Sequence, residues 1–371
     1  MKISLRDSLV QFGRMLQRRL FPALEQETGP LGEKHQQLIT VLSLSRMEAH
    51  LDGNHGGRGR PPHDRLALAR AFVAKAVFNL PTTEVLIQLL RSDAALRRIC
   101  GWEGAPQVPD KSIFSRAFSE FAHSELPQRV HEALIRQTQS ERLIGHISRD
   151  ATAIAARERV VKVEAPAPPA AAPVSQPKRR RQRGEPKPPE KMTRIERQQT
   201  MTLQDMIADL PRQCAVGCKT NSHGRKETWR GYKLHWDVAD GQIPISALLT
   251  AASLHDSQVA IPLAEMTAQR VTNLYDLMDS AYDCAALRKH SQKLGHVPII
   301  EHLQRGEGLV AMVPHEAVRY RERTSVERVN SRLKDEFGGR YVRVRGHAKV
   351  MAHVMFGVLV LTVDQILRLA T

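Results

Sequence analysis

The sequence predicts an α/β domain preceded by an all-α N-terminal domain, and three observations favour that fold class. Helix-type apolar patterns, broken by Pro, Gly and Asn, occupy residues 1–140. From residue 141 onwards, short strand-type patterns alternate with helical ones, which is typical of α/β domains. Residues 158–194 are rich in Pro, Ala and basic side chains and predict a disordered, extended insertion. The predicted domains are therefore 1–140 and 141–371, with the second interrupted at 158–194.

The composition is that of a globular protein with a polyanionic partner. The chain has 371 residues, of which 42% are hydrophobic, and this is enough for a sizeable core. Lys and Arg number 55 against 39 Asp and Glu, which gives a formal net charge of +16. Such an excess of positive charge favours nucleic acid as the partner.

The cysteines and the apolar runs indicate in which cellular compartment the protein is expected. Four scattered cysteines do not predict a disulfide framework, so we expect a reducing compartment. Cys214 and Cys218 lie near His223, but no second ligand pair follows, so a zinc site is not favoured. The charged N-terminus does not resemble a signal peptide, and the apolar run 351–363 is too short for a membrane span. We expect a soluble, cytoplasmic protein with no membrane partner and no small-molecule substrate.

The last predicted helix of the N-terminal domain has a face suited to DNA. In VPDKSIFSRAFSEFA, the apolar side chains share one side of the helix, and the other side holds Lys111, Ser112, Ser115, Arg116 and Ser119. Several short helices that end in one with a basic, hydroxyl-rich face are typical of a helix-turn-helix reader in the major groove. The alternative is a plain solvated face, which has the same pattern.

A glycine-rich loop upstream places Arg58 and Arg60 beside Pro61. A flexible basic strand of this kind can lie in an A·T-rich minor groove. The alternative is a lead-in to the following helix, with Pro61 or Pro62 at the helix start.

The second domain carries acids after two predicted strands. The strand LIGHISRD ends at Asp150, and the strand NLYDLMD ends at Asp279. Between them, Asp240-Gly241 joins two strand patterns and predicts a hairpin turn. The order strand, hairpin, helix, strand, helix, strand, helix is that of a ribonuclease-H-like domain, in which distant acids meet at one sheet edge.

The stretch YRERTSVERVNSRLK places Tyr320, Arg323, Glu327 and Lys334 at successive offsets of 3, 4 and 7 residues. On a continuous helix these offsets return to nearly the same face. A carboxylate among an Arg, a Lys and a phenol suits a metal ion held beside a phosphate backbone. Two alternatives stay open: Thr324 and Glu327 form a capping box, or Arg323 and Glu327 form an ordinary surface pair.

Together these blocks resemble the DDE transposases of bacterial insertion sequences. The four spaced side chains match the Y-x2-R-x3-E-x6-K signature of one large group, LIGHISRDAT resembles the strand with the first acid, and LYDLMDSAYD resembles the block with the second. The predicted helices before residue 140 resemble the N-terminal domain of the same group. The resemblance implies a catalytic and metal-binding triad of Asp150, Asp279 and Glu327; Asp276 and Asp283 flank the second position.

The resemblance also implies the chemistry and the partners. The three carboxylates would hold Mg²⁺, or Mn²⁺ as a substitute, for phosphodiester cleavage and transesterification. Arg323 and Lys334 would contact DNA phosphates, and Tyr320 would contact a base or the backbone. The expected function is DNA transposition by a nucleoid-associated enzyme, which binds double-stranded element ends, cleaves them and joins them to target DNA. Pairing of two ends favours a homodimer.

Two other functions share many of these features. One is a catalytically inactive or domesticated DNA-binding protein, and the other is a metal-dependent nuclease without strand transfer. The presence of all three acids favours the enzyme over the inactive protein.

Overall fold

The computed structural model describes residues 5–51, 63–160, 192–220, 224–302 and 311–370. The predictions for Arg58, Arg60 and His223, and those for most of the segment 158–194, lie outside the described residues.

The N-terminal region is built from helices, as predicted. In the part that the structure describes, these are α1 Leu5–Met15, α2 Phe21–Thr28, α3 Glu33–Ser45, α4 Arg65–Val77, α5 Thr83–Ser92, α6 Ala94–Cys100, α7 Lys111–His123 and α8 Leu126–Gln139. Side chains close two helix starts: the Asp64 carboxylate accepts from the Leu66 amide at 2.8 Å, and the Thr82 hydroxyl accepts from the Val85 amide at 3.2 Å. Such caps satisfy amide groups that have no partner inside the helix.

A mixed α/β domain follows the helices and confirms the predicted fold class. Its elements in the described residues are β1 Leu143–Ala155, α9 Arg194–Gln198, α10 Leu203–Ala208, β2 Ala215–Thr220, β3 Lys226–Ala239, β4 Ile243–Ala251, α11 Ala260–Ala268, β5 Thr272–Met278, α12 Ala285–Lys293, β6 Val297–Ile300, α13 Pro314–Tyr320, α14 Thr324–Glu336 and α15 His347–Ala370. The prediction missed β2, whose short, mostly exposed sequence AVGCKT has no apolar run.

The sheet has β1 at its centre. β1 pairs with β3 in the antiparallel direction and with β5 in the parallel direction, and β6 extends the parallel side. β4 and β2 both pair with β3 in the antiparallel direction. The predicted hairpin is confirmed, since β3 ends at Ala239 and β4 begins at Ile243. This order is consistent with a ribonuclease-H-like domain, in which β1 and β5 lie side by side although more than a hundred residues separate them.

Gly231 allows β3 to pass close to the central strand. Its φ is +148°, and a Cβ atom built on it would lie 2.2 Å from the carbonyl oxygen of Ile154. Any side chain there would clash with backbone, so only glycine fits.

The C-terminal helix α15 joins the two parts of the molecule. It packs against α3, α4, α7 and α8 on one side and against β4 on the other. The apolar run 351–363 lies inside this helix, which has 24 residues and is long and apolar enough to cross a membrane by length and composition alone. Most of its residues are buried within the protein. A helix that is covered on several sides is apolar around most of its circumference.

Candidate active site

The strand register brings Asp150 and Asp279 to the same place on the sheet. The parallel pairing of β1 with β5 ends at Ser148 opposite Leu277. Asp150 and Asp279 each lie two residues further along. Side chains two residues apart on a strand point to the same face, and neighbouring strands are about 4.8 Å apart. The register therefore directs both carboxylates to one face at the end of β5.

The prediction that a strand ends at Asp150 is wrong. β1 continues to Ala155, and Asp150 pairs across the sheet with Trp236 of β3. The pairing that stops near Asp150 is the one with β5, because β5 ends at Met278. Asp279 itself follows the strand as predicted, and its Oδ1 accepts from the Ala281 amide at 3.0 Å.

Arg323 brings Glu327 into the same group. Its Nη2 lies 3.5 Å from Glu327 Oε1 and 4.0 Å from Asp279 Oδ2. Its charge also acts on Asp150, where it opposes the effect of burial on the pKa. The Nη1 atom of Arg323 is buried and has no hydrogen-bond partner among the described residues. All three predicted acids thus lie around one guanidinium that keeps an unused donor.

The capping box proposed as an alternative for Glu327 is not formed. The residue before α14 is Arg323, which makes no side-chain cap, and the Thr324 hydroxyl donates to the Arg321 carbonyl at 3.0 Å. The other alternative, the i, i+4 pair of Arg323 with Glu327, is present, and it belongs to the acid group described above.

The remaining signature residues lie near this group. Arg323 Nε donates to the Tyr320 hydroxyl at 3.1 Å, and that hydroxyl donates to Glu301 Oε2 at 3.2 Å. Lys334 is half-buried, and burial is the main cause that lowers its pKa. The Asp150 carboxylate acts on Lys334 in the opposite direction. Tyr320 and Lys334 therefore both lie near the acid group.

Burial changes the ionisation of the two strand acids. It raises the pKa of Asp150 to about 6, with Arg323 opposing the shift and the Asp279 charge adding to it. Burial also raises the pKa of Asp279, again opposed by Arg323. Like charges near one another in a partly desolvated site favour the neutral form. A cation that neutralised these carboxylates would therefore be stabilised.

The sequence predictions missed an amide that fixes Asp150. Asn330, one turn along α14 from Glu327, donates from Nδ2 to Asp150 Oδ2 at 2.9 Å. Its Oδ1 accepts from Trp236 Nε1 at 2.9 Å. Asn330 thus links the central strand, its neighbour β3 and the helix of the third acid. No local pattern in the sequence indicates this contact, since 180 residues separate Asn330 from Asp150.

We expect Asn330→Leu to lower the free energy of unfolding by about 1–3 kcal/mol, because the buried Trp236 indole loses its acceptor. It should also reduce strand cleavage about 10- to 100-fold, the usual effect of losing a group that orients a metal ligand. Denaturant unfolding and a cleavage assay measure the two effects. In a Trp236→Phe background the unfolding penalty should shrink by about 1 kcal/mol. If the unfolding penalties of Asn330→Leu and Trp236→Phe simply added in the double variant, this role of Asn330 would be contradicted.

Two further acids lie near Asp279: Glu301, which the sequence predictions missed, and Asp256, which they interpreted as a possible helix cap outside the catalytic set. Glu301 directly follows β6, and Asp256 lies just before α11; both charges raise the pKa of Asp279. Asp256 is paired with Lys233 at 2.8 Å. Glu301 meets the same criterion that selected Asp279, an acid directly after a strand, so the sequence contained a sign of it.

The donor set suits a hard divalent cation, although the carboxylates are not gathered as a ligand set. Within the described ranges, no three His, Cys, Asp or Glu side chains lie close enough to hold a metal ion as they stand. Instead the Arg323 guanidinium balances the acids. Carboxylate oxygens are the ligands that Mg²⁺ and Mn²⁺ prefer, and burial, which raises the pKa of Asp150 and of Asp279, makes their negative charges costly without a cation.

The predicted DNA-facing residues of α7 form a separate group. Lys111, Ser115 and Arg116 are exposed, while the apolar stripe of the same helix is buried as predicted. Lys111 makes an ion pair with Glu84 at 3.1 Å. Across the residues that the structure covers, no hydrogen bond or ion pair connects these three side chains to the acid group. Asp110 precedes α7 but makes no side-chain cap there.

Comparison with known families gives two matches. A family described as Transposase DDE domain matches residues 212–363, and one described as Transposase domain (DUF772) matches residues 25–120. The first range includes Asp279 and Glu327, the second includes most of α7, and Asp150 lies outside both. The chain matches no curated protein and no solved structure.

Proposed function

Because this chain belongs to the DDE transposases of insertion sequences, we propose that it cuts and joins DNA strands, with Asp150, Asp279 and Glu327 as its catalytic carboxylates. One observation carries the assignment of the residues. The β1–β5 register places the first two acids on one face, and Arg323 contacts the third together with the second.

Those three carboxylates would hold Mg²⁺, with Mn²⁺ as a substitute, and bound ions would activate the attacking water or 3′-hydroxyl and stabilise the leaving oxygen. The protein's other side chains position these carboxylates and balance their charge. Asn330 holds Asp150 in place. Arg323 lies beside Asp279 and Glu327, and in our proposal its guanidinium contacts a phosphate oxygen, since Arg side chains suit such forked contacts.

The basic signature residues support a path for the DNA backbone across this site. In our proposal Lys334 contacts a phosphate as a point charge, and Tyr320 contacts a base or the backbone. We propose that the chain falls within the Y-x2-R-x3-E-x6-K group of the family, because the four spaced side chains match that signature. Each of these roles depends on the position of the residue beside the acids.

We assign DNA recognition to the helical domain 1–140 and chemistry to the domain 141–371. The exposed face of α7, with Lys111, Ser115 and Arg116, would read element ends in the major groove, and Arg58 with Arg60 would enter the minor groove. Double-stranded element ends and target DNA are the partners, a homodimer would pair two ends, and the enzyme would work at the nucleoid in the cytoplasm.

A cleavage and joining assay tests this function. The substrate is a duplex that contains the DNA flanking the gene, in which we expect short inverted repeats. With Mg²⁺ or Mn²⁺ the protein should release 3′-hydroxyl ends and join them to a second duplex. Cleavage without joined products would support the metal-dependent nuclease instead. Binding of the ends without any cleavage would support the inactive DNA-binding protein.

A further inference from the structure

A cavity of about 750 Å³ lies away from the acids, between the helical domain and the C-terminal part of the chain. Its walls come from α4, α5 and α7 on one side and from the segment 337–356 on the other, with Arg157 at its edge. None of the three proposed catalytic acids lines it. Its volume is within the range of small-molecule sites, roughly 300–1,000 Å³.

Positive charge dominates the lining. The basic side chains are Lys75, Lys111, Arg157, Arg343, Arg345 and Lys349. The one acid among the lining residues, Glu84, is already paired with Lys111. Within the portion of the chain that the structure describes, the other five cations make no ion pair with an acid. A cavity with this balance favours an anionic occupant.

Lys75 is the unusual member of the set. It is only 9% exposed, in the mostly buried helix α4. Burial lowers its pKa to about 8, and no acid offsets that effect. Burial lowers the pKa of His353 in the opposite wall, and the charge of Lys75 lowers it further. A buried ammonium without a counter-charge is destabilising, so a bound anion would remove an existing cost.

Phenylalanine side chains form another part of the wall. Phe72, Phe114, Phe118, Phe337 and Phe356 line the cavity beside the cations. Aromatic walls with cations at hand are how proteins hold unstacked bases together with their phosphates. The cavity is also larger than a phosphate group alone requires.

From these observations we propose that the cavity binds one phosphate-bearing nucleotide of a DNA strand, with its phosphate on Lys75 and its base against the phenylalanine wall. The inference rests on the proposed function, and it adds a second DNA contact remote from the acids. Lys111 and Ser115 line the cavity from the face of α7 assigned to DNA. Arg157, Arg343 and Arg345 are exposed, so they can follow the backbone beyond the cavity.

The test compares Lys75→Met with Lys289→Met in the full-length protein. Both variants remove one positive charge, but Lys289 is an exposed residue of α12 outside the cavity. The probe is a single-stranded 12-mer of mixed sequence, titrated without divalent metal. Lys75→Met should weaken its binding about 10- to 100-fold, as expected for loss of a charge-assisted contact. The slope of the logarithm of the binding constant against the logarithm of the salt concentration should also become shallower by about 0.7, which corresponds to the loss of one contact with a single-strand phosphate.

The thermal midpoint of the free protein separates this role from a structural one. Lys75→Met should leave it unchanged or raise it, since a buried unpaired charge is removed. Lys349 is a half-buried residue that also lines the cavity. The variant Lys349→Met should therefore weaken binding of the 12-mer as well. Equal affinity losses in Lys75→Met and Lys289→Met, or none in Lys75→Met, would overturn the proposal.

Two further probes identify the occupant. A 12-mer with abasic sites keeps the phosphates and should bind at least about tenfold more weakly, since stacking of one base contributes a factor of that order. Equal binding of the abasic and the ordinary 12-mer would show that the cavity takes a phosphate without a base, and it would overturn the proposal. Free deoxyadenosine monophosphate should compete poorly with the 12-mer for the cavity. If it competed as strongly as an unlabelled 12-mer does, the cavity would be a site for a free nucleotide, and the proposal of a DNA strand would be overturned. Since no step requires cleavage, an inactive catalytic site would leave these results unchanged.

Discussion

Asp150→Asn is expected to lower the rate of metal-dependent strand cleavage by at least about 10³-fold and to raise the free energy of unfolding. Cleavage is lost because the amide cannot act as an anionic ligand beside Asp279. Stability rises because the site holds a carboxylate in surroundings that disfavour its charge. The opposite signs of the two effects are what distinguish a catalytic acid from a structural one.

The pH dependence of stability follows from the same shift. Burial raises the pKa of Asp150 to about 6 from the ordinary value of 3.8. Between roughly pH 4 and pH 6 the folded state therefore holds a proton that the unfolded state has lost, and the unfolding free energy falls as the pH rises. At pH 7 the variant should be more stable by about 1–3 kcal/mol, with the lower end favoured by the partial exposure of the side chain.

Denaturant unfolding at pH 4 and pH 7, together with the cleavage assay, measures this prediction. The stability difference between Asp150→Asn and the unmodified protein should be small at pH 4 and present at pH 7. Glu48→Gln changes an exposed acid outside the site and should leave both cleavage and stability within error. Full cleavage activity in Asp150→Asn would remove Asp150 from the triad.

Arg149→Met is expected to lower the free energy of unfolding by about 3–5 kcal/mol. The Arg149 side chain is 3% exposed, and its Nε and Nη2 donate to the two oxygens of Asp237, each at 2.8 Å. Asp237 is 0% exposed and is also bound by the Thr267 hydroxyl at 2.7 Å. Without the guanidinium, a buried carboxylate beside the buried Asp276 loses its counter-charge.

Chemical denaturation of Arg149→Met and of the double variant Arg149→Met/Asp237→Leu tests this pair. Removing both partners leaves no unpaired charge at that position, so the double variant should recover more than half of the lost stability. A loss below about 1 kcal/mol in Arg149→Met would show that the buried pair contributes little. A double variant no more stable than the single one would show that packing, and not charge, explains the loss.

The same ion pair explains why the predicted end of the first strand is wrong. An apolar run that meets Arg149 and Asp150 predicts that burial stops there. Arg149 is buried nonetheless, because Asp237 from β3 neutralises it across 88 residues of sequence. Tertiary pairing of this kind leaves no local pattern, and the strand continues to Ala155.

Features with local causes were predictable. The apolar stripe of α7, the hairpin at Asp240 and the acid after β5 depend on periodicity and turn chemistry, and each is present in the structure. Asn330 was missed because its importance comes only from contacts with distant strands. The apolar run 351–363 is likewise a local pattern, and it lies inside the helix α15.

The central claim is that Asp150, Asp279 and Glu327 form one divalent-cation site. Anomalous diffraction from Mn²⁺ in crystals of the protein bound to cleaved element ends tests it most directly. We predict manganese within about 2.0–2.3 Å of carboxylate oxygens from Asp150 and Asp279, with Glu327 completing the site, and no such peak in Asp150→Asn. Manganese bound elsewhere, with these carboxylates still arranged around Arg323 in a complex that cleaves DNA, would contradict the claim.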